Sequence, residues 1–129
     1  MKQMTSWGRL QTPWHHVYPL TDRFTVGACL KTTKPGLAYG MGRSYGDVCL
    51  NPEGNLWHTT GLNKFMQFDA DSGLFSCEAG VLLRDIQRLM LPRGWTLPVT
   101  AGTQMITVGG AIANDIHGKN QHKRGTFGE

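Results

Sequence analysis

Apolar residues recur at helical spacing in one stretch of the chain, from Leu82 to Leu91. The apolar side chains share one side of a helical wheel and the polar ones share the other, with Leu82, Leu83, Ile86, Leu89 and Met90 set against Arg84, Asp85, Gln87 and Arg88. This period of about 3.6 residues predicts an amphipathic helix with one buried face. Pro92 and Gly94 predict where it ends, because proline cannot continue the hydrogen-bond ladder.

Strand-like alternation precedes that helix. Apolar and polar residues alternate in Phe65–Asp69 and again in Leu74–Glu78, and Asp71-Ser72-Gly73 separates the two runs. A period of two predicts strands, and a short glycine-bearing connection predicts that they form a β-hairpin.

Shorter patterns complete the outline. Two short strands are predicted, at Leu37–Tyr39 and Leu56–Thr60. A helix is predicted at Asp22–Lys34, with Thr21 as its candidate cap. Thr107–Ala113 is predicted to begin a further short helix. Mixed strands and helices at such short spacing predict the α+β class.

The stretch from Ser6 to His16 lacks periodicity and is predicted to be a coil-like leader. His15 and His16 are adjacent, but no third histidine, cysteine or aspartate stands at ligand spacing. A packing or surface role is therefore expected for both, and no metal site is predicted.

Glycine is the one unusual feature of the composition, at 17 of 129 residues, well above the usual ~7%. The glycines concentrate in Gly36–Gly46, Gly102–Gly110 and Gly118–Gly128. Glycine lets the backbone approach a ligand closely, and bare N–H groups in such turns bind phosphate. Taken by itself, Gly40–Asp47 is compatible with an ordinary turn or with a phosphate loop, since its third glycine lacks the dinucleotide-fold spacing.

Charge and cysteine content narrow the function classes. A net charge of +4 favours anionic small ligands, and the absence of any long Lys/Arg run argues against a nucleic-acid partner. Cys29, Cys49 and Cys77 lack disulfide or metal spacing, which is typical of reduced cysteines in a cytoplasmic protein. No signal peptide and no apolar run of about 18 residues is visible.

Several motifs, in this order, resemble the FAD-binding (PCMH-type) domain of the vanillyl-alcohol oxidase and p-cresol methylhydroxylase superfamily, and within it the decaprenylphosphoryl-ribose oxidases. The motifs are R-S-Y-G-D at Arg43–Asp47, T-V-G-G at Thr107–Gly110 and D-I-H-G-K-N at Asp115–Asn120. The resemblance runs from Trp7 to Gly128. It implies an N-terminal subdomain with a small mixed sheet and flanking helices, plus the start of a second subdomain.

The resemblance also implies roles for individual residues. The first loop would contact the FAD diphosphate through Ala38, Tyr39, Gly40, Met41, Gly42, Arg43, Ser44, Tyr45, Gly46, Asp47 and Val48. The second contact, again through backbone amides, would come from Gly102, Thr107, Val108, Gly109 and Gly110. A stretch beside the flavin ring would consist of His117, Gly118, Lys119 and Asn120. Of these, His117 and Lys119 would be catalytic, as a proton relay and as a holder of negative charge.

Departures from the family pattern refine the expectation. Ser44 stands where members with covalent flavin often carry histidine, so FAD is expected to be bound non-covalently. The implied reaction is hydride transfer to FAD from a secondary alcohol of a sugar, with a polyprenyl-phosphate sugar as the leading substrate. An aldonolactone or alditol oxidase of the same superfamily, or a flavin-binding fragment without activity of its own, are the alternatives.

The chain is expected to be the N-terminal part, residues 1–129, of a longer FAD-binding protein whose substrate-cap domain is absent. A reductase or epimerase partner subunit is an expected partner of that protein. The chain alone is expected to be inactive and open to self-association through exposed apolar surface. The expected location is cytoplasmic, or peripheral to a membrane in the longer protein.

Overall fold

A computed structural model describes residues 1–128, which cluster into two compact units. The first unit is Met1–Leu62 and the second begins at Asn63. Each has its own buried cluster of apolar side chains. Strands and helices are mixed in the chain, so the predicted α+β class is confirmed.

The first unit contains a four-stranded mixed sheet. Its strands are β1 at Lys2–Gln3, β2 at Trp14–Pro19, β3 at Gly36–Tyr39 and β4 at Asn55–His58, in the spatial order β1-β2-β4-β3. β1 pairs with β2 antiparallel, whereas β2 and β3 both pair with β4 in parallel. Parallel pairing places the carboxyl ends of β2, β3 and β4 at one edge of the sheet, where ligands bind in sheets of this kind.

The N-terminal stretch is the main correction to the sequence-based outline. The predicted coil-like leader, Ser6 to His16, is preceded by β1 and ends within β2, and His15 of β2 is fully buried. The Asn51 backbone N–H donates a 3.0 Å hydrogen bond to His15 Nε2. This bond satisfies a buried imidazole nitrogen, which explains how a histidine fits within an apolar sheet.

The helix and strand predicted next in the first unit exist with shifted bounds. Helix α1 spans Val26–Thr32, shorter at both ends than the predicted Asp22–Lys34. Thr21 does not cap it, because the residue before the helix is Thr25, which makes no side-chain capping bond. The strand predicted at Leu56–Thr60 is β4, and a short 3-10 helix follows it at Thr59–Gly61.

The second unit begins with the predicted hairpin. Strand β5 at Phe65–Phe68 pairs antiparallel with β6 at Phe75–Cys77. Gly73 takes a φ of +74° in the turn, and a Cβ there would overlap the Trp95 ring. The glycine is therefore required twice, by the left-handed backbone and by the indole packed on it.

Three helices complete the second unit. They are α2 at Leu83–Met90, α3 at Val108–Ala113 and α4 at Gln121–Arg124. The apolar stripe of α2 is buried as predicted, since Leu83, Ile86 and Met90 are all core residues. Each such side chain contributes about 1.5–3 kcal/mol on burial. After a short 3-10 helix, Gly94 in the left-handed conformation ends the element, as its position in the sequence indicated.

Candidate functional site

The first glycine-rich loop, residues 40–47, leaves the carboxyl end of β3 in the first unit. Gly42 and Gly46 take φ angles of +62° and +60°. A Cβ at Gly42 would overlap the Tyr39 hydroxyl and approach the Thr5 carbonyl oxygen, whereas a Cβ at Gly46 would meet no atom within 4 Å. Gly42 is thus fixed by packing as well as backbone conformation, and Gly46 by conformation alone.

The backbone of this loop accepts hydrogen bonds through its carbonyl oxygens, but its N–H groups do not donate to other backbone groups of the described chain. Within residues 1–128, no backbone amide of residues 40–46 donates a hydrogen bond to a backbone carbonyl oxygen, although the Ser44 N–H faces the Cys49 thiol. Carbonyl oxygens of the loop do accept: Met41 O from Arg43 Nη1 at 2.7 Å, Ser44 O from the Trp7 amide at 3.4 Å, and Asp47 O from the Leu50 amide at 2.9 Å. Consecutive N–H groups with glycine in the left-handed region form an anion-binding concavity. The loop therefore has the donors that a diphosphate requires.

The side chains of the loop divide into anchored and exposed ones. Tyr39 is buried, its hydroxyl donates a 2.6 Å hydrogen bond to Thr5 O, and burial raises its pKa. The Tyr45 ring is 82% exposed, and Val48 is also exposed. Tyr39 therefore supports the loop from behind, and any contact it makes with a ligand is through its backbone.

His58 lies where β4 ends, beside this loop. Its ring packs edge-on against Tyr39 at a centroid distance of 5.7 Å, and its Nε2 lies 3.1 Å from Thr60 Oγ1. Burial lowers the pKa of His58 and Lys2 adds to the decrease, while the Gly40 carbonyl opposes it. Burial and Lys2 thus both favour the neutral form of this imidazole, which lies at the edge of the sheet from which the loop begins.

The second predicted contact, at Thr107–Gly110, lies at the start of α3 in the second unit. Its amides are engaged within the protein: Val108 N donates to Val81 O and Gly109 N to Ala79 O, both at 2.8 Å. Gly110 N donates to Thr107 Oγ1 at 3.1 Å, an N-terminal cap. The expectation of bare amides at residues 108–110 is therefore wrong, and their contact with a cofactor stays a prediction without that support.

Packing explains the glycine at position 109. A Cβ there would lie 3.2 Å from both the Cβ and the carbonyl oxygen of Ala79. Gly102, by contrast, is exposed and a Cβ would meet no atom within 4 Å. The T-V-G-G motif thus brings α3 against the backbone after β6, and its glycine permits that approach.

The predicted catalytic pair lies in an anchored segment. Gly118 is buried against the Thr100 carbonyl, and Asn120 Nδ2 donates a 3.1 Å hydrogen bond to Pro98 O. Between these anchors His117 and Lys119 are exposed, and neither makes a hydrogen bond or ion pair with another residue of the described chain. Alternate residues therefore hold the backbone and present the imidazole and the ammonium group to solvent.

A cavity of about 500 Å³ lies elsewhere in the second unit. Apart from Gln87 and Thr96, its walls are mostly apolar and aromatic side chains of the core, among them Phe68, Phe75, Ile86, Met90, Trp95 and Leu97. Of the predicted site residues only Val108 contributes to it. It lacks charged side chains, so it does not suit a diphosphate.

The residues that sequence reasoning missed lie in the N-terminal segment. Thr5, Ser6 and Trp7 all contact the first loop, and Ser6 Oγ donates to Asp47 Oδ1 at 3.4 Å. About 40 positions separate the two segments, so no local pattern in the sequence connects them. Among residues 1–128 no group of three histidine, cysteine or acidic side chains is arranged to hold a metal, and no helix is long and apolar enough to cross a membrane.

Comparisons with known proteins agree with this geometry. Decaprenylphosphoryl-beta-D-ribose oxidase from Mycolicibacterium smegmatis is 38% identical over 132 residues, which cover 98% of this chain and 29% of that protein. Two solved structures of alkyldihydroxyacetonephosphate synthase share the fold, with TM-scores of 0.70 and 0.74 at 16% and 15% identity. The alignments cover 85% and 98% of this chain, but 22% and 26% of those chains. The chain thus spans less than a third of the length of these relatives.

The family described as "FAD binding domain" matches residues 23–129, most of the chain. That range includes the glycine-rich loop after β3, the start of α3 and the His117–Asn120 segment. The resemblance drawn from those motifs is confirmed. The chain belongs to the FAD binding domain family, and its cofactor is FAD.

Proposed function

We propose that the protein carrying this domain is an FAD-dependent oxidoreductase that oxidises a secondary alcohol of a sugar. The similarity to a protein named decaprenylphosphoryl-beta-D-ribose oxidase supports a polyprenyl-phosphate ribose as the leading substrate. The single observation that carries the cofactor part is the loop at residues 40–46, whose amides donate to no backbone carbonyl oxygen of the described chain.

In this proposal the loop binds the FAD diphosphate. Gly42 and Gly46 let consecutive N–H groups turn toward one point, and a side chain at Gly42 is excluded by Tyr39 and Thr5. Arg43 adds a positive charge whose position is fixed by its bond to Met41 O. Amides and a guanidinium together suit a diphosphate, because each charge-assisted hydrogen bond is stronger than a neutral one.

The exposed pair in the second unit is proposed to act on the substrate. When bound, FAD supplies the two-electron acceptor chemistry, so the protein needs to orient the alcohol and manage its proton. Lys119 would hold negative charge on the substrate or flavin, and His117 would accept the hydroxyl proton. Neither side chain must first break a protein contact, since both are exposed and unpaired within the described chain.

Binding of FAD is proposed to be non-covalent. Ser44 occupies the loop position at which a histidine would be needed for a covalent link, and its carbonyl is held by the Trp7 amide. Acid denaturation followed by centrifugation should leave the yellow flavin in the supernatant. Flavin that stays with the precipitated protein would contradict this part of the proposal.

The reaction is tested by mixing the FAD-loaded protein, without oxygen, with each candidate substrate. A polyprenyl-phosphate ribose should bleach the visible flavin absorbance, whereas an alditol or an aldonolactone should leave it unchanged. Bleaching by the alditol or lactone alone would assign the alternative substrate class. No bleaching by any of the three would contradict the proposed sugar-alcohol oxidation.

A further inference from the structure

The segment Met4–Trp7 lies outside the residues that define the family match, yet it contacts the glycine-rich loop at several points. Thr5 O accepts the Tyr39 hydroxyl at 2.6 Å. Ser6, which is buried, donates through Oγ to Asp47 Oδ1 at 3.4 Å. The Trp7 amide donates to Ser44 O, also at 3.4 Å. These contacts hold the loop near its beginning, its middle and its end.

The Trp7 side chain adds a fourth contact. The guanidinium carbon of Arg43 lies 5.7 Å from the centre of the indole ring, within the range of a cation–π interaction. The same guanidinium donates to Met41 O inside the loop. Trp7 is 50% exposed and belongs to neither buried apolar cluster, so burial alone does not account for its position.

None of these contacts involves a backbone amide of the loop. They engage carbonyl oxygens, a carboxylate, a hydroxyl and a guanidinium, and none of them uses an N–H group of residues 40–46. A loop held in this way keeps its donors available and loses less conformational entropy when it binds an anion. The arrangement is that of a supporting shell around a binding loop.

The geometry points to Thr5–Trp7 as a positioning segment for the diphosphate-binding loop, in which Trp7 acts through Arg43. This inference rests on the proposed role of the loop and extends it to residues outside the matched range. Removing the Trp7 ring is expected to leave the fold intact, to increase the mobility of the loop and to weaken FAD binding about fivefold to tenfold.

The test compares Trp7→Ala and Trp7→Phe with the unsubstituted chain. Backbone order parameters of residues 40–46, measured by NMR without flavin, report loop mobility on the ps–ns timescale. They should fall in Trp7→Ala and be restored in Trp7→Phe, because phenylalanine retains an aromatic face for Arg43. The dissociation constant of FAD should change in parallel.

Trp14→Ala is the matched control, since Trp14 is 52% exposed in the same N-terminal stretch and, within residues 1–128, makes no hydrogen bond or cation–π contact with the loop. It should alter neither order parameters nor affinity. Ser6→Ala is a second variant, in which the order parameters and the affinity for FAD should both decrease, as in Trp7→Ala. Order parameters that stay unchanged in both Trp7→Ala and Ser6→Ala would overturn the inference.

The two proposals fail differently. If FAD binds the unsubstituted chain without shifting the signals of residues 40–46, the assignment of the loop to the diphosphate is wrong, whatever the order parameters show. If FAD does shift those signals but the order parameters stay the same in Trp7→Ala and Ser6→Ala, only the positioning role is wrong.

Discussion

The Tyr39 hydroxyl occupies the space that a side chain at Gly42 would need. The hydroxyl is held there by its hydrogen bond to Thr5 O, and Gly42 has a φ of +62°. One buried phenol thus sets the residue type at the bend of the loop. The requirement for glycine at position 42 comes from the protein itself, before any ligand is considered.

Gly42→Ala should therefore weaken FAD binding at least about tenfold, equivalent to ~1.4 kcal/mol. The methyl group would displace Tyr39 or bend the loop, and the positive φ adds about 1–2 kcal/mol of strain. Gly46→Ala is the control, because it has the same backbone strain and open space around its Cβ. Flavin titration measures both variants; equal affinities would show that packing behind the loop does not matter.

Gly109→Ala tests the reassignment of the second glycine motif. Its Cβ would press on Ala79 at 3.2 Å, so the chain should lose about 1–3 kcal/mol of stability even without flavin. Gly102→Ala, in open space, should change stability by less than about 0.5 kcal/mol. Urea unfolding measures both. A Gly109→Ala chain of normal stability that fails to bind FAD would instead favour a direct contact of the cofactor with this position.

His15 should make stability depend on pH. Burial lowers its pKa from the ordinary value of 6.5, and the Asn51 amide needs an unprotonated Nε2. The unfolded chain therefore binds more protons in this range, and the free energy of unfolding should fall as the pH decreases below about 6.5. Urea unfolding between about pH 8 and pH 5 measures the slope.

Two variants isolate that effect. His15→Gln keeps an acceptor without a titrating ring, so it should flatten the pH dependence, whereas His16→Gln, at an exposed neighbour, should leave it unchanged. His58, whose pKa is also lowered, contributes in the same direction and remains in both. An unaltered slope in His15→Gln would show that His15 does not titrate with unfolding.

Lys119→Ala addresses the proposed chemistry, in the protein that carries this chain. The flavin should stay bound, since the diphosphate is assigned to another loop, while the turnover number should fall about 100-fold through loss of one charge contact to the reacting groups. Lys123→Ala is the control, because it removes another exposed lysine nearby in the sequence. Normal turnover in Lys119→Ala would remove this residue from the mechanism.

Local patterns predicted the elements that are stabilised locally. The apolar stripe of α2 and the alternation in β5 and β6 were sufficient, because burial of one face decides both kinds of element. The glycine-rich motifs also indicated the family correctly. In these stretches the local sequence preference and the tertiary packing agree.

The strand β2 was missed because its stability is nonlocal. It begins with Trp14-His15-His16, a polar-aromatic run without clear alternation, and its burial depends on pairing with β4 and on the Asn51 amide. The hydrogen bonds of the amides at the start of α3 could not be predicted for the same reason. The carbonyl oxygens that accept from Val108 N and Gly109 N belong to Val81 and Ala79, about 30 positions earlier, and no local motif indicates them.

The most direct test is amide hydrogen exchange of residues 40–46 with FAD and with riboflavin, which lacks the diphosphate. These amides donate to no backbone carbonyl oxygen of residues 1–128, so without a ligand they should exchange fast, while residues 108–110 should already be protected. FAD should slow exchange across residues 40–46 and riboflavin should not. Bound FAD that leaves their exchange unchanged would contradict the assignment of this loop to the diphosphate.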